Sequence, residues 1–382
     1  MLTATAPPRT RLARLRLRLV AVVRAPAAPA KRTNRKRAAA VALVCGLVVA
    51  AVVQLATAWA ICTDRMPLRD PMYLDKLALM RARPAFAPGA PPGEYRLVFI
   101  GSSRSLDGIN AGAVGPDLTQ RLGRPVAAFN FAHAGAGPVL NAIYLRRLLA
   151  DGVTPDAVVI EVHPGLIGAR AESLESRWVQ ATRLRPEELP LVRAMSFPAR
   201  EPDAHGVRGR VLPWSAYRLP LIDRYAPALS VVPYPVGARQ SCDEHGFVRC
   251  RSVTPAERAK LIGLTRAQYA EHLADYAPGG TGVAGLRDAL ETCRAANIRA
   301  ALVLTPESSE FRNWYPEPGR SRIGPVIAEL AREFGAAVFD CREWLPDDLI
   351  GVGHHLPGPG ADAFSARLSA DALAPWLAKG AP

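Results

Sequence analysis

An α/β domain built on a parallel sheet and carried behind one transmembrane helix is the architecture that this 382-residue chain predicts. Three observations predict it. A 24-residue stretch without charge, Ala38 to Ile61, follows a strongly basic tail. Downstream, five short runs recur that are apolar along their whole length, as strands buried on both faces are. Helical patterns alternate with them, which is the order of a three-layer α/β/α sandwich.

The net charge of +14 belongs to the tail rather than to the body. Residues 1–37 hold eleven Arg or Lys and no acid, and removing these from the 48 basic residues leaves 37 against 34 acidic. A basic nucleic-acid-binding body is therefore excluded. The uncharged stretch exceeds the ~20 residues that span a bilayer as a helix. Its basic flank precedes it and the neutral Cys62-Thr63-Asp64-Arg65 follows it, so the positive-inside rule puts the amino terminus in the cytoplasm and the rest outside. Cleavage after Ala58-Trp59-Ala60 is the rival reading. The stretch is longer than the ~7–15 residues of a usual signal-peptide core, which favours a retained anchor. Ile61 before Cys62 does not suit a lipoprotein cleavage site.

Residues 62–94, with the run FAPGAPPGEY at their end, read as a linker, and the domain is expected over 95–382. Its strands are expected at Leu97–Ile100, Val126–Phe131, Ala157–Val162, Ala300–Leu304 and Ala336–Phe339. Helices are expected at Ala113–Leu122, Pro138–Asp151, Gly285–Ala296, Ile323–Phe334 and Gly360–Leu377. About 115 residues between the third and fourth strands, roughly 166–280, form an insertion or cap. One of its helices starts at Thr254-Pro255-Ala256-Glu257, a capping box with proline in the first turn. Cys242 and Cys250 bracket a short polar loop and, outside the cytoplasm, are expected to pair; Cys293 and Cys341 are a second, weaker pair. Neither CxxC nor a Cys/His zinc spacing occurs, and no cofactor is called for.

The chemistry is expected at the carboxyl ends of the strands. The first run stops at Gly101-Ser102-Ser103-Arg104, a turn that exposes a hydroxyl. A serine nucleophile needs a base within reach, a group that orients the base, and donors for the oxyanion. The base candidate is in Gly351-Val352-Gly353-His354-His355-Leu356-Pro357-Gly358, after the fifth strand. His133 ends the second strand, while Glu161 and His163 end the third. With Ser102, Arg104 and His354 they are possible pocket residues. A metal site made from these histidines and Glu161 is the lesser reading, because no fixed ligand spacing is present. Thr305-Pro306-Glu307-Ser308-Ser309 is expected as a further wall of the cleft.

GSSRS after the first strand, the glycine of Asn130-Phe131-Ala132-His133-Ala134-Gly135 after the second, and His355-Leu356 with Gly360-Ala361 before the last helix together resemble the SGNH (GDSL-like) hydrolase superfamily. The nearest branch is the membrane-anchored extracytoplasmic one that contains the D-alanyl-lipoteichoic-acid transfer protein and relatives of alginate O-acetyltransferases. The resemblance covers about 95–165 and 285–377. It implies Ser103 as nucleophile, His355 as base, and Ser103 with Gly135 as oxyanion donors. Two departures stand out. The family's aspartate three residues before the histidine is Val352 here, and His163-Pro164-Gly165 stands where a Gly-x-Asn-Asp motif is expected. Asp348, or its neighbour Asp347, is the candidate substitute from the preceding turn; a dyad completed by a backbone carbonyl and a degenerate site are the alternatives. The implied function is a serine esterase or O-acyltransferase acting on acyl esters of envelope glycans at the bacterial inner membrane. A multi-pass acyl exporter is its possible partner. The rival is a catalytically degenerate SGNH-like protein that binds glycan or a partner protein.

Overall fold

The computed structural model describes residues 32–63, 69–89, 93–170, 172–176, 178–179, 183–195, 212–229 and 242–379. The chain forms two compact units, Met1–Thr57 and Ala58–Pro382. Most of the basic tail and parts of the insertion, 196–211 and 230–241, lie outside the described residues. Helix α1, Arg32–Cys62, has 31 residues and is about 46 Å long at 1.5 Å per residue. Its segment Arg35–Cys62 is long and apolar enough to cross a membrane. Val41, Leu47 and Leu55 along it are exposed, as lipid-facing side chains would be.

In the second unit all five expected strands are present: β1 Tyr95–Ile100, β2 Val126–Asn130, β3 Ala157–Glu161, β4 Arg299–Leu304 and β5 Ala337–Asp340. They pair in parallel in the order β2-β1-β3-β4-β5. The period of two in a strand sends successive side chains into two cores. Val98, Ile100, Phe129, Val158, Ile160 and Leu302 point to one face. There they pack on α2 (Pro71–Arg81), α5 (Pro138–Ala150), α7 (Gly280–Ala295) and α8 (Gly319–Phe334). Leu97, Phe99, Ala128, Val159, Ala301 and Val303 point to the other face. That face packs on α4 (Ala111–Leu122) and on α9 (Gly358–Arg367) with the turns that follow it. The result is the three-layer sandwich. β5 alternates between partly buried and exposed, whereas β2, at the other edge of the sheet, is buried along its length.

The stretch read as a linker departs from expectation. Within 62–94 the chain forms α2, which is built into the core: Tyr73 and Met80 are almost fully buried. Asp70 caps it by accepting from Tyr73 N–H, and Pro71 occupies the first turn. Asp70 also accepts from Arg147 Nη1 at 2.9 Å, Arg183 Nη2 at 2.8 Å and Tyr144 Oη at 2.9 Å. Burial opposes its charge, yet the guanidiniums of Arg183 and Arg147 hold its carboxyl well below the usual range. Arg147 in turn holds Glu188 at 2.5 Å, so α2, α5 and the insertion share one ionic knot.

The cysteines do not pair. Cys293 and Cys341 are buried in the two different cores, with the sheet between them. Cys242 and Cys250 are also free, and Cys250 Sγ faces Asp107 Oδ2 at 3.5 Å instead.

Replacing Asp70 with Ala removes the buried carboxylate that Arg147, Arg183 and Tyr144 share, which is expected to destabilise the domain by about 3 kcal/mol in urea denaturation at neutral pH. Because the folded carboxyl titrates below its unfolded value, this contribution is complete above pH ~4 and is lost as the pH falls further.

Candidate active site

β2 lies on one side of β1 and β3 on the other, so the switch point of the sheet is at the carboxyl ends of β1 and β3. Both ends contribute to one turn. After β1 the chain enters the short helix α3, Ser103–Gly108, with Ser102 as its N-cap. From the end of β3 the Glu161 carboxylate accepts Ser102 N–H at 2.8 Å, Ser102 Oγ–H at 2.7 Å and Ser105 N–H at 3.1 Å. The turn leaves no space at Gly101, where a Cβ would lie 2.5 Å from Glu161 Oε2 and 2.7 Å from Ser105 Oγ. The glycine is thus required by the approach of a side chain, not by its φ.

Held in this way, Ser103 Oγ shares a hydrogen bond with His355 Nε2 at 2.8 Å, from residues 252 positions apart. The loop that carries His355 is fixed by its own backbone. Gly351 N–H donates to His355 O at 2.8 Å, and Ser308 N–H, after β4, donates to Gly353 O at 2.8 Å. Gly353 makes the turn with φ +71°. Burial, then the positive charge of Arg104, pull the His355 pKa down to about 4.

No carboxylate among the described residues hydrogen-bonds His355. Asp348 is exposed on the turn Asp347–Leu349, and Asp347 accepts from Ser309 N–H at 2.8 Å and from Ser309 Oγ–H. Val352 occupies the position three residues before the histidine, and its carbonyl accepts His354 N–H. Ser103 and His355 are therefore brought together, and Asp348 is not brought to them.

Arg104 is turned inward rather than toward solvent, with only 1% of its surface exposed. It donates to Glu307 Oε1 at 3.0 Å, Thr305 O at 3.0 Å and His163 Nδ1 at 2.9 Å. The segment Thr305–Ser309 accordingly lies behind Arg104 and does not line the cavity. His163 and His354 stack at 5.7 Å between ring centroids, and His354 lies 4.2 Å from His355. Burial keeps both His163 and His354 far below the usual histidine range, so they are neutral. His133 is elsewhere: it packs between Phe131 and Tyr144 and shares a hydrogen bond with Met72 O. Among the described residues no group of three His, Cys, Asp or Glu is arranged to hold a metal ion.

These side chains open into a cavity of about 500 Å³. Ser102, Ser103, Arg104, Gly135, His163, His354 and His355 line one part of it. Gly135 has φ +74°, and the Trp178 indole lies where a Cβ would be. Sequence reasoning missed the rest of the wall. Pro71 and Met72 come from α2; Leu166, Leu174 and Trp178 come from the start of the insertion. Thr265, Gln268 and Tyr269 come from α6, Pro255–Leu273, whose capping box forms as expected. Their i, i+3, i+4 spacing puts them on one helix face, a signal present in the sequence but without distinctive chemistry.

No family model matches the chain. No curated protein matches it either. Among solved structures it is similar to a lipase/acylhydrolase from Enterococcus faecalis, at 12% identity and TM-score 0.33, covering 72% of this chain and 94% of that one. It is also similar to Est24, a carbohydrate acetylesterase from Sinorhizobium meliloti, at 9% identity and TM-score 0.33, covering 74% and 99%. A third is Axe2, an acetylxylan esterase from Geobacillus stearothermophilus, at 12% identity and TM-score 0.32, covering 72% and 92%. At these values no residue role is transferred from them.

Replacing Gly101 with Ala drives a methyl group into the Glu161 carboxylate and is expected to break the turn. Labelling of Ser103 by a fluorophosphonate probe should fall at least tenfold, with a loss of about 1–3 kcal/mol in thermal stability from the hydrogen bonds left unmade.

Proposed function

We propose that the chain is a membrane-anchored serine esterase or O-acyltransferase whose main domain lies outside the bacterial inner membrane, with the amino terminus in the cytoplasm. Its substrates are acyl esters of envelope glycans, and a multi-pass acyl exporter is a fitting donor of the acyl group. The observation that carries this reading is the 2.8 Å hydrogen bond from Ser103 Oγ to His355 Nε2 at the mouth of a cavity. Such a pair is the minimal apparatus for acyl transfer.

Ser103 Oγ attacks the acyl carbonyl as His355 Nε2 takes its proton. The tetrahedral oxyanion is received by the backbone N–H groups of Ser103 and Gly135. Its collapse breaks the ester bond, and His355 returns the proton to the leaving alkoxide. Water or a glycan hydroxyl then resolves the acyl-serine, giving up its own proton to His355, which returns it to Ser103 Oγ as the acyl bond breaks. Water makes the chain a hydrolase and a hydroxyl makes it a transferase.

One observation favours a second reading, a catalytically degenerate protein that binds glycan or a partner. Among the described residues no carboxylate supports a His355 imidazolium, which would sit under the charge of Arg104.

A fluorophosphonate probe and p-nitrophenyl acetate separate the two. The enzyme reading expects labelling and turnover that the Ser103→Ala and His355→Ala variants lose; absence of labelling in the unaltered protein supports the binder. The base works only when neutral, and its pKa is lowered to about 4. kcat/KM is therefore expected to rise with pH through about 4 and to be level by pH 6; a midpoint near 6.5 would remove His355, in this environment, as the base.

A further inference from the structure

A chain of hydrogen bonds runs from the core to the cavity through His163. Its Nδ1 faces two donors, Arg104 Nη1 at 2.9 Å and Gly165 N–H at 3.1 Å. A nitrogen in that position accepts, so the neutral ring carries its proton on Nε2. Nε2–H donates to Tyr269 Oη at 2.8 Å. That bond uses a lone pair of the phenol and leaves the phenolic proton uncommitted. Burial raises the phenol above its usual range, so the proton stays in place. The ring is fixed by edge contacts with Phe311 at 5.4 Å and His354 at 5.5 Å, and it lines the same cavity as Ser103.

The walls of this cavity differ in chemistry. Met72, Leu166, Leu174 and Trp178 offer apolar surface, suited to an acyl group. α6 offers Thr265, Gln268 and Tyr269 side by side. Thr265 Oγ–H is already spent on Leu261 O at 2.9 Å, whereas the Tyr269 proton is free and rigidly held.

We propose that the Tyr269 hydroxyl donates a hydrogen bond to an oxygen on the alcohol half of the ester, with Arg104 and His163 as the positioning residues that orient it. The proposal rests on the reading of Ser103 as nucleophile and adds the side of the cavity that takes the polyol. Arg104 lends its charge to this bond through a ring that stays neutral.

The test compares two acetate esters, glycerol triacetate, whose alcohol half is rich in oxygen acceptors, and phenyl acetate, which has none beyond the ester. In Tyr269→Phe the ratio of kcat/KM for glycerol triacetate to that for phenyl acetate is expected to fall about tenfold, mainly through KM. An unchanged ratio overturns the proposal, even if both rates fall together, because a structural defect penalises the two esters alike. Binding separates this result from the fate of the nucleophile. The Kd for glycerol triacetate is measured by ligand-observed NMR in Ser103→Ala and in the Ser103→Ala/Tyr269→Phe double variant. A several-fold weaker Kd in the double variant supports the proposal even if the unaltered protein hydrolyses neither ester. Equal values, or no binding by Ser103→Ala, overturn it.

Discussion

The Glu161 carboxylate, 2% exposed, is the constraint on which the site depends. It ends β3 yet spends three hydrogen bonds on the turn after β1, two to backbone N–H groups and one to Ser102 Oγ–H. Bonds to a charged acceptor in a buried setting are short and about twice as strong as neutral ones. They fix the direction in which Ser103 leaves its strand, and so whether its hydroxyl meets an imidazole that arrives from the far end of the chain. The adjacency of β1 and β3 in the sheet makes this possible, since carboxylate and turn then lie one strand spacing apart.

Electrostatics around His355 differ from those of a triad. In a triad a carboxylate supports the imidazolium; here the charge that acts on His355 is that of the Arg104 guanidinium, of the same sign as an imidazolium. His354 and His163 add neutral rings, which supply polarisable surface and no countercharge. On the proposed reading, the pair is tuned toward a base that stays neutral over nearly the whole pH range, with a smaller driving force for taking the serine proton. Arg104 is ion-paired with Glu307 at 3.0 Å and buried, so it is not a handle for an anionic ligand.

The sheet was legible because its signal is local. Each strand is a short apolar run such as Leu97–Ile100 or Val158–Ile160, and in the four strands other than β5 that run is buried. α2 was not legible. Lys76 interrupts its apolar pattern and Asp70 caps it, and both are buried through partners that lie far along the chain. For the same reason Glu161 read as one more pocket residue: nothing next to it in sequence discloses that its partners are Ser102 and Ser105. Ser103, Gly135 and His355 stand out because glycines and turns mark strand ends, whereas Tyr269 and Trp178 sit in an insertion with no comparable punctuation. Gly101 was noticed for a different reason from the one that requires it.

The ionic knot at Asp70 also bears on how this chain can change over evolutionary time. Met72 and Arg183 belong both to the cavity wall and to the cluster that packs α2 on α5, so substitutions there disturb the fold as well as the pocket. Gln268 and Thr265, on the outer helix, are exposed and half-exposed and take no part in the core. Descendants that come to hold a larger ligand are thus channelled toward variation along α6, while the α2 side is inherited nearly intact. Selection for a new substrate and selection for a stable protein act on different halves of the same cavity.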